Sequence, residues 1–162
     1  MKFRLISPIV IPLCMMALVM GCGGPPSVNF GDGSVGNLVW GVTHNAYETQ
    51  EPDKALLFAD RAVEVYGEEA RTINASLSEY PPTDPPESVY KYKPLNEVGF
   101  VLYTKGTILL ERGDKEGAAA AFQSLVDDYH YAQFQVWDKP EEWWKPAEEA
   151  KKRLAELESG DS

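Results

Sequence analysis

The sequence predicts an all-α domain of about five helices, paired as antiparallel hairpins of helices with a proline-rich loop between the hairpins. Three observations predict it. From Asn37 onward apolar residues recur with the helical period, as at Ala55, Ala59, Ala62 and Tyr66. The alternation of β-branched and polar residues that marks strands is almost absent. Short turn signals, Gly113-Asp114 above all, separate the helical runs.

The elements follow in order. A first helix is expected over about 36–49. Pro52 suits a first helical turn and opens a second. That helix either ends at Gly67 or continues over 68–78 along Ala70, Ile73 and Leu77. Residues 80–94 are expected to form a loop, because Pro81, Pro82, Pro85 and Pro86 forbid helix there. With Tyr80, Tyr90 and Tyr92 among the prolines, this loop is either a semi-rigid contact arm or a disordered insertion. A third helix is expected over 95–112, closed by Gly113 as a left-handed cap, with Asp114 as N-cap of the fourth. The fourth carries Ala118, Phe122, Leu125 and Tyr129 on one stripe. A fifth is expected from near Pro140 to Leu157. Glu141 and Glu142 stand in its first turn, where the helix dipole favours acids, and Trp143, Ala147, Ala150, Leu154 and Leu157 align along it.

The N-terminus reads as a targeting segment. Lys2 and Arg4 precede an almost wholly apolar run, 5–20, that Ser7, Pro8 and Pro12 interrupt. It is too short and too broken for a membrane span of roughly 20 apolar residues and fits the apolar core of a signal peptide. The run ends Leu18-Val19-Met20-Gly21-Cys22, which resembles the lipobox of bacterial lipoproteins. The resemblance implies cleavage before Cys22 and lipid on its thiol, with Met20 standing where a small or branched residue is more usual. Two or three acyl chains anchor a protein stably where one does not. Gly23 follows, rather than the Asp that retains lipoproteins in the inner membrane of enteric bacteria, so the expected location is the outer membrane, facing the periplasm. Residues 22–36 are rich in Gly and Pro and read as a tether, 37–158 as the helical domain and 159–162 as a disordered tail. Gly31, Gly33 and Gly36 match a dinucleotide-binding GxGxxG, but neither a preceding strand nor a following βαβ unit supports that use.

Charge narrows the function. The chain of 162 residues carries a net charge of −10, which becomes −12 once a leader bearing Lys2 and Arg4 is removed. Such a surface repels phosphate backbones and anionic headgroups, so no nucleic-acid partner is expected and membrane attachment falls to the lipid. Cys14 would leave with the leader and Cys22 would carry lipid, so the mature domain has neither disulfide nor thiolate ligand. With only His44 and His130 as imidazoles, no metal or other cofactor is expected.

From Leu102 to His130 the residues Leu102, Lys105, Gly106, Leu109, Ala118 and Phe122 fall where a tetratricopeptide repeat places its large and small helix-packing residues. The stretch resembles that repeat, with Lys105 and His130 as departures. A poorer match runs through Val39, Val42, Thr43, Ala46, Ala55 and Ala59, with the repeat's glycine and aromatic both missing. Ala55 and Ala118 stand 63 residues apart, against ~34 in a tandem array. A longer stretch, about Asn96 to Leu154, contains Tyr131-Ala132-Gln133, then Trp137-Asp138, then Trp143-Trp144. It is similar to a group of bacterial exported tetratricopeptide lipoproteins. Some of those relatives carry a β-glucanase label. Glycoside hydrolysis needs two placed carboxylates in a cleft. The acid pairs Glu68-Glu69, Asp127-Asp128, Glu141-Glu142 and Glu148-Glu149 read instead as solvated helix faces, so no enzyme and no catalytic residue is expected.

The resemblance implies a partner-binding groove lined by the first helix of each hairpin. Carried over, its positions are Asn37, Trp40, His44 and Tyr47 on the first helix, and Phe100, Tyr103, Thr107 and Leu110 on the third. Trp137, Trp143 and Trp144 are expected to lid the open end of the array, or else to form a sugar-stacking patch. The expected function is a lipid-anchored envelope scaffold or assembly factor that binds an envelope protein or peptide segment. The alternative is an accessory that binds or processes glycans.

Overall fold

The computed structural model of this protein describes residues 28–136 and 138–160. The leader, Cys22 and Trp137 lie outside the described residues. Among the described residues the fold is mostly helical, with six α-helices and one small two-stranded sheet. The helices are α1 (Val35–Thr43), which continues as a π-helical turn (His44–Glu48), α2 (Pro52–Ala75), the one-turn α3 (Glu87–Tyr90), α4 (Lys93–Glu111), α5 (Lys115–Asp128) and α6 (Pro146–Ser159). Strands β1 (Phe134–Val136) and β2 (Lys139–Trp144) separate α5 from α6.

Each long helix packs on the next, and α4 also touches α1 and α6, so the helices form one continuous array. Two ion pairs fix the direction of α2 against α4. Lys105 Nζ meets Asp60 at 2.6 Å and Arg112 meets Asp53 at 2.6 Å, so rising number on one helix matches falling number on the other. The turn at Gly113, φ +79°, folds α5 back along α4, and Asp114 caps α5 by accepting from the Gly117 amide. Leu95, Val98, Leu102, Phe122 and Leu125 form the larger core, and Leu38, Val42, Phe58, Ala62 and Val101 a second one under α1.

Glycine sets the closest approaches. A Cβ on Gly106 of α4 would overlap the ring of Phe122 on α5, and a Cβ on Gly41 of α1 would overlap the ring of Phe58 on α2. The first hairpin therefore has the glycine–aromatic pair that the alignment on Thr43 and Ala59 missed. Gly41 and Phe58 are 17 residues apart and Gly106 and Phe122 are 16. The π turn at His44–Glu48, where each turn is one residue wider, takes up the difference. Asn45 steadies it by donating to the Gly41 carbonyl at 2.7 Å.

Three expectations need correcting, and one open alternative is resolved. First, the folded unit begins by Val28 rather than at Asn37. Val28 and Phe30 pack on the second core, Phe30 meets Phe58 edge to face at 5.2 Å, and the Tyr66 hydroxyl donates to the Gly33 carbonyl. Second, of the two readings of α2 the continuous one holds, and the helix passes through Gly67 to Ala75. The glycine is buried inside the helix, where a Cβ would stand 3.0 Å from the Tyr129 hydroxyl, and that hydroxyl donates to its carbonyl. Third, residues 80–94 are not a disordered insertion and not loop throughout, since Glu87–Tyr90 is a helical turn and α4 opens at Lys93. Pro81 is buried with its carbonyl accepting from Gln133 Nε2 at 2.8 Å, Val89 is buried, and Tyr80 packs on His130 and Tyr131.

Fourth, residues 140–144 are strand, not helix. The helix-start signature of a proline followed by acids occurs twice, at Pro140 and at Pro146, and only the second opens a helix, with Glu148 and Glu149 in its first turn. Phe134 pairs with Trp144 and Gln135 with Trp143 across the sheet. Cross-strand aromatic pairing of this kind outweighs the local helix signal.

Candidate functional site

Helices α1 and α4 lie side by side and start together, since a Cβ on Gly36 would stand 3.4 Å from Lys93 Nζ. Their outer faces contain the expected groove residues. On α1, Trp40 is 58 % exposed and Tyr47 is 61 % exposed, which is unusual for such large apolar surfaces. The Trp40 ring stacks on His44, centroids 4.6 Å apart and planes 10° apart, and His44 Nδ1 lies 2.9 Å from Glu48. The imidazole thus props the indole while leaving its other face to solvent. Asn37 is turned to a structural task, donating to Asp32 at 3.1 Å in the turn before α1.

The α4 residues are more covered. Phe100 packs on Phe134 at 5.5 Å and on Trp144 at 6.2 Å, and Tyr103 lies between Phe122 and Trp144. Thr107 donates to the Tyr103 carbonyl, and Leu110 packs against the larger core. The open part of the face is therefore the α1 strip of Trp40, His44 and Tyr47. Phe100 and Tyr103 are covered instead by Phe134 and Trp144 of the β1–β2 hairpin. Trp143 and Trp144 are half-buried in this hairpin, not on the last helix. Trp144 lies on α4 and Trp143 lies 6.1 Å from the ring of Tyr90.

At the N-terminal end of this face is a cavity of about 370 Å³, walled by Tyr90, Lys93, Asn96, Glu97, Phe134 and Gln133–Gln135. A larger one, about 550 Å³, lies between the outer flanks of α5 and α6 and holds no buried polar group. Two residues of its wall stand out. Gln133 is 1 % exposed; its amide nitrogens are used, but its Oε1 is buried with no donor. Glu97 is half-buried, and burial pushes its carboxyl pKa up while Lys93, one turn earlier, pulls it down only in part.

Apart from Tyr90, which the sequence places in a candidate contact arm, none of these cavity residues was singled out as a site from the sequence. One signal was present: between Leu95 and Leu110 the only charges are Glu97 and Lys105, and Lys105 is taken by Asp60.

Glu97 makes stability depend on pH in a defined sense. Its carboxyl is neutral in both states well below the ordinary value of 4.5. Above that value the unfolded chain ionises first, so the folded state holds more protons and loses stability as pH rises through the window up to the raised pKa. Glu97→Gln removes this loss. Urea unfolding between pH 4.5 and 7.5 should show wild type falling relative to Glu97→Gln, by about 1.4 kcal/mol per unit of pKa elevation. Parallel curves would contradict the assignment.

Among the described residues no group of three His, Cys, Asp or Glu is placed to hold a metal, and no helix is long and apolar enough to cross a membrane. Asn74, in a glycosylation-like Asn-Ala-Ser triplet, accepts from the Tyr131 amide and is part of the packing. No protein family, curated protein or solved structure matches this chain.

Proposed function

We propose that this chain is a lipid-anchored cell-envelope protein, tetratricopeptide-like in its hairpins, that acts as a scaffold or assembly factor by docking a partner protein or peptide segment on the α1/α4 face. The observation that carries the reading is the exposure of Trp40 and Tyr47 on a helix that is otherwise buried against α2 and α4. Exposed indole and phenol rings on a rigid helix are the side chains that dominate binding energy at protein interfaces. No enzymatic role is included. Glu68, Glu142, Glu148 and Glu149, members of the acid pairs, are tied to Arg71, Lys139, Lys151 and Lys152. The glycan-accessory alternative has less support, because Trp143 and Trp144 are packed into the hairpin rather than displayed in a cleft.

The anchor rests on the lipobox-like run ending at Cys22. Metabolic labelling with a fatty-acid analogue should mark the wild type and not Cys22→Ser, which should accumulate uncleaved. Equal labelling of the two would overturn the anchor. The docking face is tested by affinity capture from detergent-solubilised membranes, comparing wild type with Trp40→Ala/Tyr47→Ala.

A further inference from the structure

We propose that residues 76–92 form a pH-sensitive strap, latched by Tyr80 and released when His130 gains a proton. The inference goes beyond the docking reading and does not rest on it. The segment joins α2 to α4. Its holds at Pro81, Val89 and Tyr90 are neutral. The Pro81 carbonyl accepts from Gln133, the Val89 carbonyl accepts from Asn96, and the Tyr90 hydroxyl donates to Gln135. The hold at Tyr80 is made with charged groups. The Tyr80 ring lies 5.5 Å from His130 and 5.4 Å from Tyr131, and Lys145 Nζ stands over it at 4.1 Å. The Tyr80 hydroxyl donates to Glu148 Oε1 at 3.3 Å.

One acceptor serves this latch. Glu148 Oε1 takes the Tyr80 hydroxyl and, at 3.0 Å, Lys151 Nζ, and His130 Nε2 is 3.8 Å away. A neutral imidazole has one bare nitrogen, so it need not contest that oxygen. A proton puts N–H on both ring nitrogens and a charge on the ring. His130 then competes with the Tyr80 hydroxyl for Glu148 Oε1. It also adds a cation beside Lys151 and beside Lys145, which already stands on the Tyr80 ring. The groups facing His130 are Tyr80 from the strap, Tyr131 next to it, Glu148 and Lys151 from α6, and Lys145 just before α6. Burial first, then Lys151, with Lys145 adding to them, hold the His130 pKa below its ordinary value of 6.5 against the pull of Glu148. Burial pushes the Tyr80 phenol up, so it stays a donor, and Lys151 holds the Glu148 carboxyl down, so it stays an anion. With the strap open, His130 stands in water and takes its proton first. The latch is therefore at full strength above about pH 6.5 and weakens as pH falls toward the lowered pKa of the latched state.

The test is amide hydrogen exchange on the purified protein in detergent, with rates corrected for the intrinsic effect of pH. Between pH 7.5 and pH 5.0 the protection of residues 76–92 should fall at least about threefold, while that of α4 and α5 changes by less than about twofold. The His130 ring proton, followed by NMR, should titrate over the same pH range as the strap loosens. His130→Gln keeps a polar side chain that takes no charge, and it should abolish the fall. His44→Gln, at the other imidazole, should leave the fall unchanged. Tyr80→Ala should leave the strap poorly protected at both pH values. Glu97 cannot produce the expected loss, because its raised pKa strengthens the fold as pH falls. A flat wild-type profile, the same fall in His130→Gln, or an equal fall in α4 and α5 would overturn the inference. So would a His130 titration that does not coincide with the loosening, and this comparison needs only the wild type, so it decides the matter even if His130→Gln fails to fold. Thermal unfolding at pH 7.5 checks the fold of each variant.

Discussion

Gly106→Val is expected to destabilise the protein by about 3 kcal/mol and to lower its melting temperature by roughly 10 °C. The first atom of any side chain at this position overlaps the Phe122 ring. Phe122 cannot retreat, because it is fully buried against Leu102, Ala118 and Tyr103. The two helices would have to move apart, and α4 is also the helix that touches α1, α2 and α6, so the displacement spreads through the array. Helix propensity alone makes the opposite forecast, since an alanine in a helix interior is favoured over glycine by about 1 kcal/mol. The two accounts separate in a double-mutant cycle. Gly106→Ala should cost stability in wild type and cost clearly less in Phe122→Leu, where the ring it strikes is gone. Equal costs in both backgrounds would mean that the Gly106–Phe122 contact is not what fixes the spacing. Thermal or urea unfolding followed by circular dichroism gives both numbers.

Trp40→Ala/Tyr47→Ala is expected to do the reverse: to leave the fold nearly intact and remove binding. Both rings are more than half exposed, so truncation should change stability by no more than about 1 kcal/mol. Two aromatic anchors at the centre of an interface are each worth about 2 kcal/mol or more, so the partner should be lost by a factor of at least about 100. Tyr103 is a poorer probe than it looks from its groove position. It is wedged between Phe122 and Trp144 and tied to Arg153, so Tyr103→Ala would damage the core and the hairpin together, and a loss of binding would say nothing about docking.

Much of the helical pattern was legible because it is local. The Gly113 cap, the Asp114 N-cap and the Pro52 start depend on a few neighbouring residues, and the structure places all three as read. What escaped was set by distant partners. Gly67 reads as a helix end or a helix interior with nothing local to decide, until Tyr129, 62 residues on, supplies the hydroxyl that bonds its carbonyl. Pro140-Glu141-Glu142 reads as a helix start until Phe134 and Gln135 offer Trp144 and Trp143 a strand partner. The prolines of 80–94 read as an open loop until Gln133 bonds the Pro81 carbonyl. The same holds for the candidate site. Trp40, His44 and Tyr47 share a face by spacing alone. The cavity draws Glu97, Gln133 and Tyr90 from three separate elements, and nothing in their spacing shows that the fold brings them together.

The central claim is that the chain acts through the exposed aromatic strip of α1. Its most direct test is quantitative capture from detergent-solubilised membranes with three baits: wild type, Trp40→Ala/Tyr47→Ala, and Arg61→Ala/Glu64→Ala on the exposed flank of α2. All three should unfold at similar temperatures. The account predicts that wild type and the α2 variant retain the same partner in equal amount and that the Trp40/Tyr47 variant loses it. A partner retained equally by all three baits, or lost with the α2 variant and kept by the Trp40/Tyr47 variant, would contradict it.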